Sequence, residues 1–306
     1  MPRLTRQPAD VSRPTRPGPA RPDRYATMTV MSYDPRDHWS RLHARGDLSS
    51  VGQSGLPADL NAWLYRALER RVRWFVRRNH VVDGVKTVFD VGSGTGYWVR
   101  VWHDLGVPRV DGCDLVPAAV ERLGATFGDR GDRFVAADVG AADSGLPAEP
   151  YDLVTVMNVL LHLTDDAAFR QALANLAALV ASGGHLMVVE PILLDAAYER
   201  PPTTTQTSRA RSFAAYRDPL LAAGLELVEL RGAVAMANNP IEAGSRAAYD
   251  RYLRWWRWVA KRAKTSPGSI RWVGPLMLAL DRIVLATGAA PSSKIVLFRR
   301  PVDSGR

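Results

Sequence analysis

Three acidic residues, each at the end of an apolar run, have the spacing that points most directly to chemistry in this 306-residue chain. Asp90 lies in the run Val88 to Val91, which leads into a glycine-rich turn, and Asp114 and Asp138 close the next two apolar runs. Such runs predict strands. An acid about 20 residues beyond a glycine turn can bind the hydroxyls of a ribose. The pattern therefore predicts a site for a nucleoside-type ligand.

The turn itself indicates which kind of nucleoside ligand is bound. Its glycines alternate as Gly92, Gly94 and Gly96, whereas a dinucleotide fingerprint has the spacing G-x-G-x-x-G. Asp90 stands two positions ahead of the first glycine and would repel a pyrophosphate. The same carboxylate suits a cationic group, such as an ammonium or a sulfonium.

At these residues the chain resembles the class I S-adenosylmethionine-dependent methyltransferases. Their glycine motif is similar to the segment from Asp90 to Gly96, their ribose acid falls at Asp114, and their adenine-edge acid falls at Asp138. The resemblance covers roughly residues 83–235 and returns at the last strand, 295–298. It implies S-adenosylmethionine as the cofactor and a methyl group as the group transferred. The cofactor-binding candidates are Trp39, Asp90, Gly92, Ser93, Gly94, Gly96, Trp98, Asp114, Leu115, Asp138, Val139 and Asn158.

The order of the elements predicts an α/β fold. Strands alternate with helices, which indicates a doubly wound, mostly parallel, seven-stranded Rossmann-like sheet with its ligands at the carboxyl ends of the strands. Gly183-Gly184 is expected to end a helix, with a strand from His185 to Glu190. Two helices, about Ile241–Lys264 and Ile270–Thr287, interrupt the route to the last strand. The predicted regions are a disordered basic tail (1–30), a helical arm (31–82), the core (83–235), a helical cap (236–290) and the last strand with the C-terminus (291–306).

Two residues are catalytic candidates, because a hydroxyl acceptor must lose a proton when it is methylated. His162 follows the fourth strand, where the resembling family often carries a histidine, and could act as the base; local packing is the alternative. Glu190 ends the fifth strand and could orient an acceptor, or it could tether a loop through backbone N–H groups.

The acceptor site is expected under the cap, which holds four of the nine tryptophans. Tyr249, Tyr252 and Trp256 share one face of the first cap helix and are candidates for acceptor binding, with core packing as the alternative. Arg211 is a candidate to pair with an acidic acceptor, or else part of a solvated face.

Composition limits the remaining possibilities. The net charge is +9, the longest apolar stretches are too short to span a membrane, and the single cysteine, Cys113, excludes a disulfide framework. These features predict a cytoplasmic protein, and no residue spacing indicates a metal site. Oligomeric state stays open, with a homodimer as one arrangement.

The predicted function is methyl transfer to a small-molecule acceptor, at an oxygen of an aromatic or amphipathic metabolite. One alternative is an RNA methyltransferase, favoured by the net charge and by Arg77-Arg78; the fourth strand, however, ends in Met-Asn-Val-Leu and lacks the tetrad typical of base-methylating enzymes. Nucleic acid is therefore a disfavoured partner. A second alternative is a catalytically silent subunit that still binds the cofactor.

Overall fold

This computed structural model describes residues 34–43, 48, 52–53, 55–194, 196–199 and 207–302. The tail predicted over 1–30 and the first residues of the predicted arm lie outside the described residues. Within them, no helix is long and apolar enough to cross a membrane.

A seven-stranded sheet forms the centre of the fold. The strands of the chain are β1 (Thr87–Val91), β2 (Arg109–Asp114), β3 (Phe134–Ala136), β4 (Tyr151–Met157), β5 (Val180–Glu190), β6 (Ile192–Leu193), β7 (Tyr198–Glu199), β8 (Arg211–Ser212), β9 (Glu226–Gly232), β10 (Glu242–Ala243) and β11 (Lys294–Arg299). The large sheet has the order β3-β2-β1-β4-β5-β11-β9. β11 is antiparallel to both of its neighbours, and the strand pairings from β3 to β5 are parallel. The predicted doubly wound sheet is confirmed.

Helices cover both faces of this sheet. They are α1 (Pro35–His43), α2 (Ala58–Arg78), α3 (Tyr97–Asp104), α4 (Pro117–Phe127), α5 (Asp166–Ala178), α6 (Phe213–Ala222), α7 (Arg246–Thr265) and α8 (Ile270–Ala286). α2, α3, α4, α7 and α8 contribute to one hydrophobic cluster, and α5 and α6 to the cluster on the opposite face. α2 is amphipathic: its buried residues Leu68, Val72 and Phe75 recur at spacings of four and three.

Two element boundaries differ from those predicted. Gly183-Gly184 does not end a helix: α5 stops at Ala178, and the glycines lie inside β5. Gly183 has φ +76°, and a Cβ on Gly184 would lie 2.9 Å from the carbonyl oxygen of Asp152, so the pair allows the register shift where β5 begins to pair with β4. The first cap helix begins at Arg246, because the preceding residues form β10, which pairs with β7.

The cap packs against α2 and not over the strand ends. A Cβ on Gly274 of α8 would lie 2.3 Å from the Trp63 ring, so glycine is what lets the two helices approach this closely. Arg70 of α2 also donates to the Leu278 carbonyl at 2.8 Å. The prediction that the helical cap covers the acceptor site at the strand ends is therefore wrong. In the described chain, α1 and α2 cover that edge of the sheet.

Candidate active site

A cavity of about 130 Å³ lies at the carboxyl edge of β1, β2 and β4. Its floor is the glycine turn after β1, and Pro35, Trp39 and His43 line it from α1, at a spacing of four that places them on one helix face. The predicted residues that line it are Trp39, Gly92, Ser93, Gly94, Trp98, Asp114, Leu115, Asp138, Val139, Asn158 and His162. The structure therefore brings together most of the residues expected to bind the cofactor.

The glycine turn is held against the end of β2. The N–H groups of Gly92 and Ser93 both donate to the Cys113 carbonyl at 2.9 Å. Gly92 has φ +71°, and a Cβ there would lie 2.5 Å from a methyl of Val159. Glycine is therefore needed here both for the positive φ and for the close approach of Val159. The backbone of Gly92 lines the cavity. Gly96, also predicted as a binding residue, packs against Phe127 and not on the cavity wall.

Asp114, at the end of β2, presents its carboxylate to the cavity. Oδ2 accepts from the Gly94 N–H at 2.9 Å and Oδ1 from the Val116 N–H at 3.0 Å. These bonds fix the carboxylate's orientation while each oxygen keeps a lone pair for a ligand. His43 of α1 places Nε2 3.9 Å from Oδ1, beyond hydrogen-bond distance. Burial and Arg122 lower the pKa of His43.

Asp138 lies in the turn that follows β3. Its backbone N–H donates to the Ser144 carbonyl at 3.0 Å, and its Oδ1 accepts from the Gly140 N–H at 3.0 Å. The turn thereby holds Asp138 and the neighbouring Val139 at the cavity wall. Asp114 and Asp138, the acids predicted for the ribose and for the adenine edge, therefore lie at the ends of the neighbouring strands β2 and β3.

Asp90 lies behind the cavity wall and is almost fully buried. Its Oδ1 accepts from the Thr155 hydroxyl at 2.7 Å, whereas Oδ2 has no hydrogen-bond partner in the described part of the chain. Burial raises the pKa of Asp90 to about 7, against the lowering effect of its hydrogen bonds. A buried carboxylate oxygen without a partner beside a cavity is suited to a cationic ligand.

His162 lies at the far end of the cavity, beyond the tip of β4. Asn158, the first residue after β4, has φ +57°, and this left-handed turn directs the chain into the short helix Leu160–His162. His162 Nδ1 lies 2.7 Å from the Thr207 carbonyl oxygen, which can accept but not donate, so Nδ1 carries the proton. The imidazole also meets the Trp39 ring edge-on at 4.7 Å. Burial lowers the pKa of His162, which favours the neutral ring.

Glu190 tethers the loop that carries His162. The side chain is fully buried; Oε1 accepts from the N–H groups of Val159 and Leu160 at 2.7 Å, and Oε2 from that of Leu161 at 3.2 Å. Burial raises the pKa of Glu190 to about 8, while the three N–H donors favour its ionised form. Of the two roles open at the sequence level, the contacts support the tether, and Glu190 positions the histidine loop.

The four acceptor-binding candidates lie away from this cavity. Arg211 is buried over the Phe169 ring and donates to the Leu163 carbonyl at 2.7 Å and to Asp166, so its charge stabilises the start of α5. Trp256 belongs to the core cluster shared with α2, and Tyr249 packs on Tyr198 at 4.9 Å. Tyr252, on the same helix face, is not among the lining residues either. We therefore assign these side chains to packing.

Several lining residues were not predicted, and they come from elements far away in sequence. Tyr65 reaches the cavity from α2, its ring 4.7 Å from that of Tyr97, and burial and the Asp90 carboxylate raise its pKa. His43 and Met157 are further examples. In the sequence, the one indication that Tyr65 would be buried is its position between apolar residues of α2.

Comparison with known proteins agrees with this geometry. A family model described as a methyltransferase domain matches residues 88–184, from β1 into β5, and so includes the tips of β1, β2, β3 and β4. Over these residues the chain carries a methyltransferase domain of the class I, S-adenosylmethionine-dependent type. Its cofactor is S-adenosylmethionine.

Solved structures share the fold of this methyltransferase at low sequence identity. The [4+2]-cyclase SpnF is 19% identical, with a TM-score of 0.50, over 84% of this chain and 97% of that chain. A putative sarcosine dimethylglycine methyltransferase from Galdieria sulphuraria is 15% identical, with a TM-score of 0.49, over 76% and 85%. StiE O-MT is 16% identical, with a TM-score of 0.47, over 77% and 75%. No curated protein sequence matches the chain.

The residues present fit S-adenosylmethionine. The unpartnered oxygen of Asp90 matches the cationic end of the cofactor, and Gly92 and Gly94 line the cavity without side chains. Within the described residues, no group of three or more His, Cys, Asp or Glu could hold a metal ion.

Cofactor affinity should depend on pH through Asp90. Because its pKa is about 7 in the free protein, a proton must leave before the carboxylate can face a cation. We expect S-adenosylmethionine to bind about tenfold more weakly at roughly pH 6 than at pH 8, and Asp90→Asn to remove this dependence. Calorimetry in buffers of different ionisation enthalpy would detect the released proton.

Two further outcomes check this assignment. Burial holds a proton on Asp90 that the unfolded chain has already lost, so the free energy of unfolding of the unliganded protein should fall as the pH rises from about 4 to 7. An affinity that stays flat with pH in the unmodified protein, with no proton released, would contradict the assignment of Asp90 to the cationic end.

Proposed function

We propose that this methyltransferase transfers a methyl group to an oxygen of a small aromatic or amphipathic acceptor. The observation that carries the proposal is His162. With its proton on Nδ1 and donated to the Thr207 carbonyl, the ring keeps an unshared pair on Nε2, and the residue lines the cavity. A neutral imidazole placed in this way can accept the proton of a hydroxyl group.

The cofactor's position follows from the strand tips. Asp114 would accept from the ribose hydroxyls, and Asp138 with the backbone of Val139 would meet the edge of the adenine. Asn158 and Asp90 would face the methionine end, with Asp90 nearest the cationic groups. Trp39, Tyr65 and Trp98 line the same cavity, and aromatic faces stabilise a nearby cation.

The chemistry then needs little more than position and one proton acceptor. When bound, S-adenosylmethionine supplies an electrophilic methyl on a positively charged sulfur. His162 would accept the proton of the acceptor hydroxyl at Nε2, so that the oxygen could receive the methyl group that the cofactor would supply. α1 and the aromatic walls exclude water, which would otherwise solvate the nucleophile and disorder its approach. Glu190 keeps the histidine loop in place.

The aromatic character of the walls supports an acceptor with a flat or apolar body. Trp39 stands against His162, so an acceptor whose hydroxyl reaches Nε2 would pack on an indole ring. None of the described residues that line this cavity is a lysine or an arginine.

The test is a transfer assay with S-adenosylmethionine carrying a trideuterated methyl group. Phenols, catechols and hydroxylated aromatic acids would be offered beside matched anilines and thiophenols, with products read by mass spectrometry. We expect label on oxygen. Label confined to nitrogen or sulfur would contradict the oxygen proposal, and label in RNA with an activity that falls steeply with salt would favour the RNA alternative. No label in any acceptor, despite tight cofactor binding, would favour a silent subunit.

A further inference from the structure

α8 carries apolar side chains on its outward face as well as on its buried face. Val273 and Met277 are buried against the core, whereas Trp272, Leu276 and Ile283 are 72%, 46% and 62% exposed. Spacings of four and seven place these three on one side of the helix, with Ala279 between them. A stripe of large exposed apolar side chains on a soluble fold marks a surface that contacts something else.

A second cavity, of about 650 Å³, opens beside the C-terminal half of α8. Four arginines line it: Arg70 and Arg71 of α2, Arg231 of β9 and Arg282 of α8. Trp74, Leu230, Leu285 and a group of alanines form the apolar remainder. In the described chain this cavity shares no lining residue with the cofactor cavity. It is therefore an amphipathic pocket with a basic rim.

The positive charge of this pocket is only partly neutralised within the described chain. Arg70 and Arg71 donate to neutral backbone carbonyls, those of Leu278 and Gly232, each at 2.8 Å. Arg231 pairs with Glu229 at 2.7 Å.

The acid that lines the pocket, Asp281, already accepts hydrogen bonds from the backbone. Its Oδ1 accepts from the N–H groups of Ala235 and Met236, at 2.8 and 2.7 Å, and from that of Ala237. Burial and the neighbouring Arg231 lower the pKa of Arg71, as expected where cations are crowded. The pocket favours an anionic group.

α7 repeats the same combination on its outward face. Trp258 is 43% exposed, and the exposed residues around it on the helix are Arg251, Arg254 and Lys261. α7 thus exposes a tryptophan among basic side chains, and on α8 the Arg271 guanidinium lies 5.5 Å from the centre of the Trp272 ring. Exposed tryptophan beside basic side chains is typical of helices that lie in the interface of an anionic membrane.

We propose that the outward face of α8 docks on an anionic phospholipid surface, with Trp272, Leu276 and Ile283 entering the interface and the arginine-lined pocket binding phosphate headgroups. α8 would lie in the plane of the interface, since no described helix is long and apolar enough to cross a membrane. A second copy of the chain fits this face poorly, because the apolar stripe has a basic rim and the chain carries a net charge of +9.

Vesicle co-sedimentation tests the proposal. The full chain would be mixed with vesicles of pure phosphatidylcholine or of phosphatidylcholine with phosphatidylglycerol. We expect binding to the mixed vesicles, weakened by salt, and a loss of roughly tenfold or more in Trp272→Glu/Ile283→Glu and in Arg231→Gln/Arg282→Gln. Each of these residues is substantially exposed, so the fold should persist.

Matched controls separate this surface from general effects of charge and polarity. Val302→Glu changes an equally exposed apolar residue outside the cap (64%), and Arg170→Gln removes an exposed arginine of α5 on the opposite face of the sheet. Both should bind vesicles as the unmodified chain does. Equal binding to both kinds of vesicle, or unchanged binding in the α8 variant, would overturn the proposal. So would a concentration-dependent dimer that Trp272→Glu abolishes, since the face would then join two copies.

Discussion

Asp114→Ala should weaken binding of S-adenosylhomocysteine by a factor on the order of 100 or more. Two hydrogen bonds from ribose hydroxyls to a carboxylate contribute about 1.5–3 kcal/mol each, and the alanine loses both. The substitution also frees the N–H groups of Gly94 and Val116, which the carboxylate now holds in place. Isothermal titration calorimetry measures the change directly.

This experiment must distinguish a weaker affinity for the ligand from a loss of the folded structure. Asp114→Asn keeps the size of the side chain and one oxygen acceptor, so it should stay folded by thermal melting while still binding the ligand weakly. Asp129→Ala removes an exposed acid from the turn after α4 and should change nothing. Affinity that is preserved in both Asp114 variants would show that the ribose is bound elsewhere.

His162→Ala should lower kcat toward a hydroxyl acceptor by about 100- to 10,000-fold, the range typical of a lost general base. Because burial lowers the pKa of His162, the unmodified enzyme should gain activity as the pH rises through that lowered pKa and should be fully active at neutral pH. The variant should lose this acidic limb of the profile. Stopped assays across a pH series, with the acceptor identified in the transfer experiment, give both quantities.

A second substitution distinguishes proton acceptance from positioning. His162→Gln can still hydrogen-bond an acceptor but cannot take its proton at neutral pH, so its kcat should remain as low as that of the alanine variant. His80→Ala, which changes an exposed histidine after α2, is the matched control. Undiminished turnover in His162→Ala with a hydroxyl acceptor would remove the residue from the mechanism.

The cofactor end of the site could be predicted from sequence because it depends on local patterns. Asp90, Asp114 and Asp138 each follow an apolar run, and a parallel sheet brings successive strand ends to one edge whatever the rest of the chain does. Most element boundaries follow from the same alternation of strands and helices. The glycine pair in β5 was misinterpreted because a positive φ can end a helix or allow a bulge, and only the strand partner decides which.

The parts of the site that depend on how distant elements pack could not be predicted in the same way. Tyr65 and His43 reach the cavity from helices that precede the sheet, and their position depends on how α1 and α2 pack, which no local pattern specifies. Trp256 belongs to an aromatic stripe that fits either a pocket or a core, and its burial in the cluster shared with α2 assigns it to the core. Glu190 had two roles open, and three backbone N–H groups within hydrogen-bond distance support the tether.

The wall that α1 contributes has a consequence for the speed of the catalytic cycle. A space of about 130 Å³ is smaller than the roughly 300–1,000 Å³ usual for small-molecule sites, so we expect Trp39 and His43 to move outward when the nucleoside enters and when the spent thioether leaves. Each turnover includes one such opening and one reclosing. The frequency of this movement is therefore a ceiling on turnover that no improvement in proton transfer can raise.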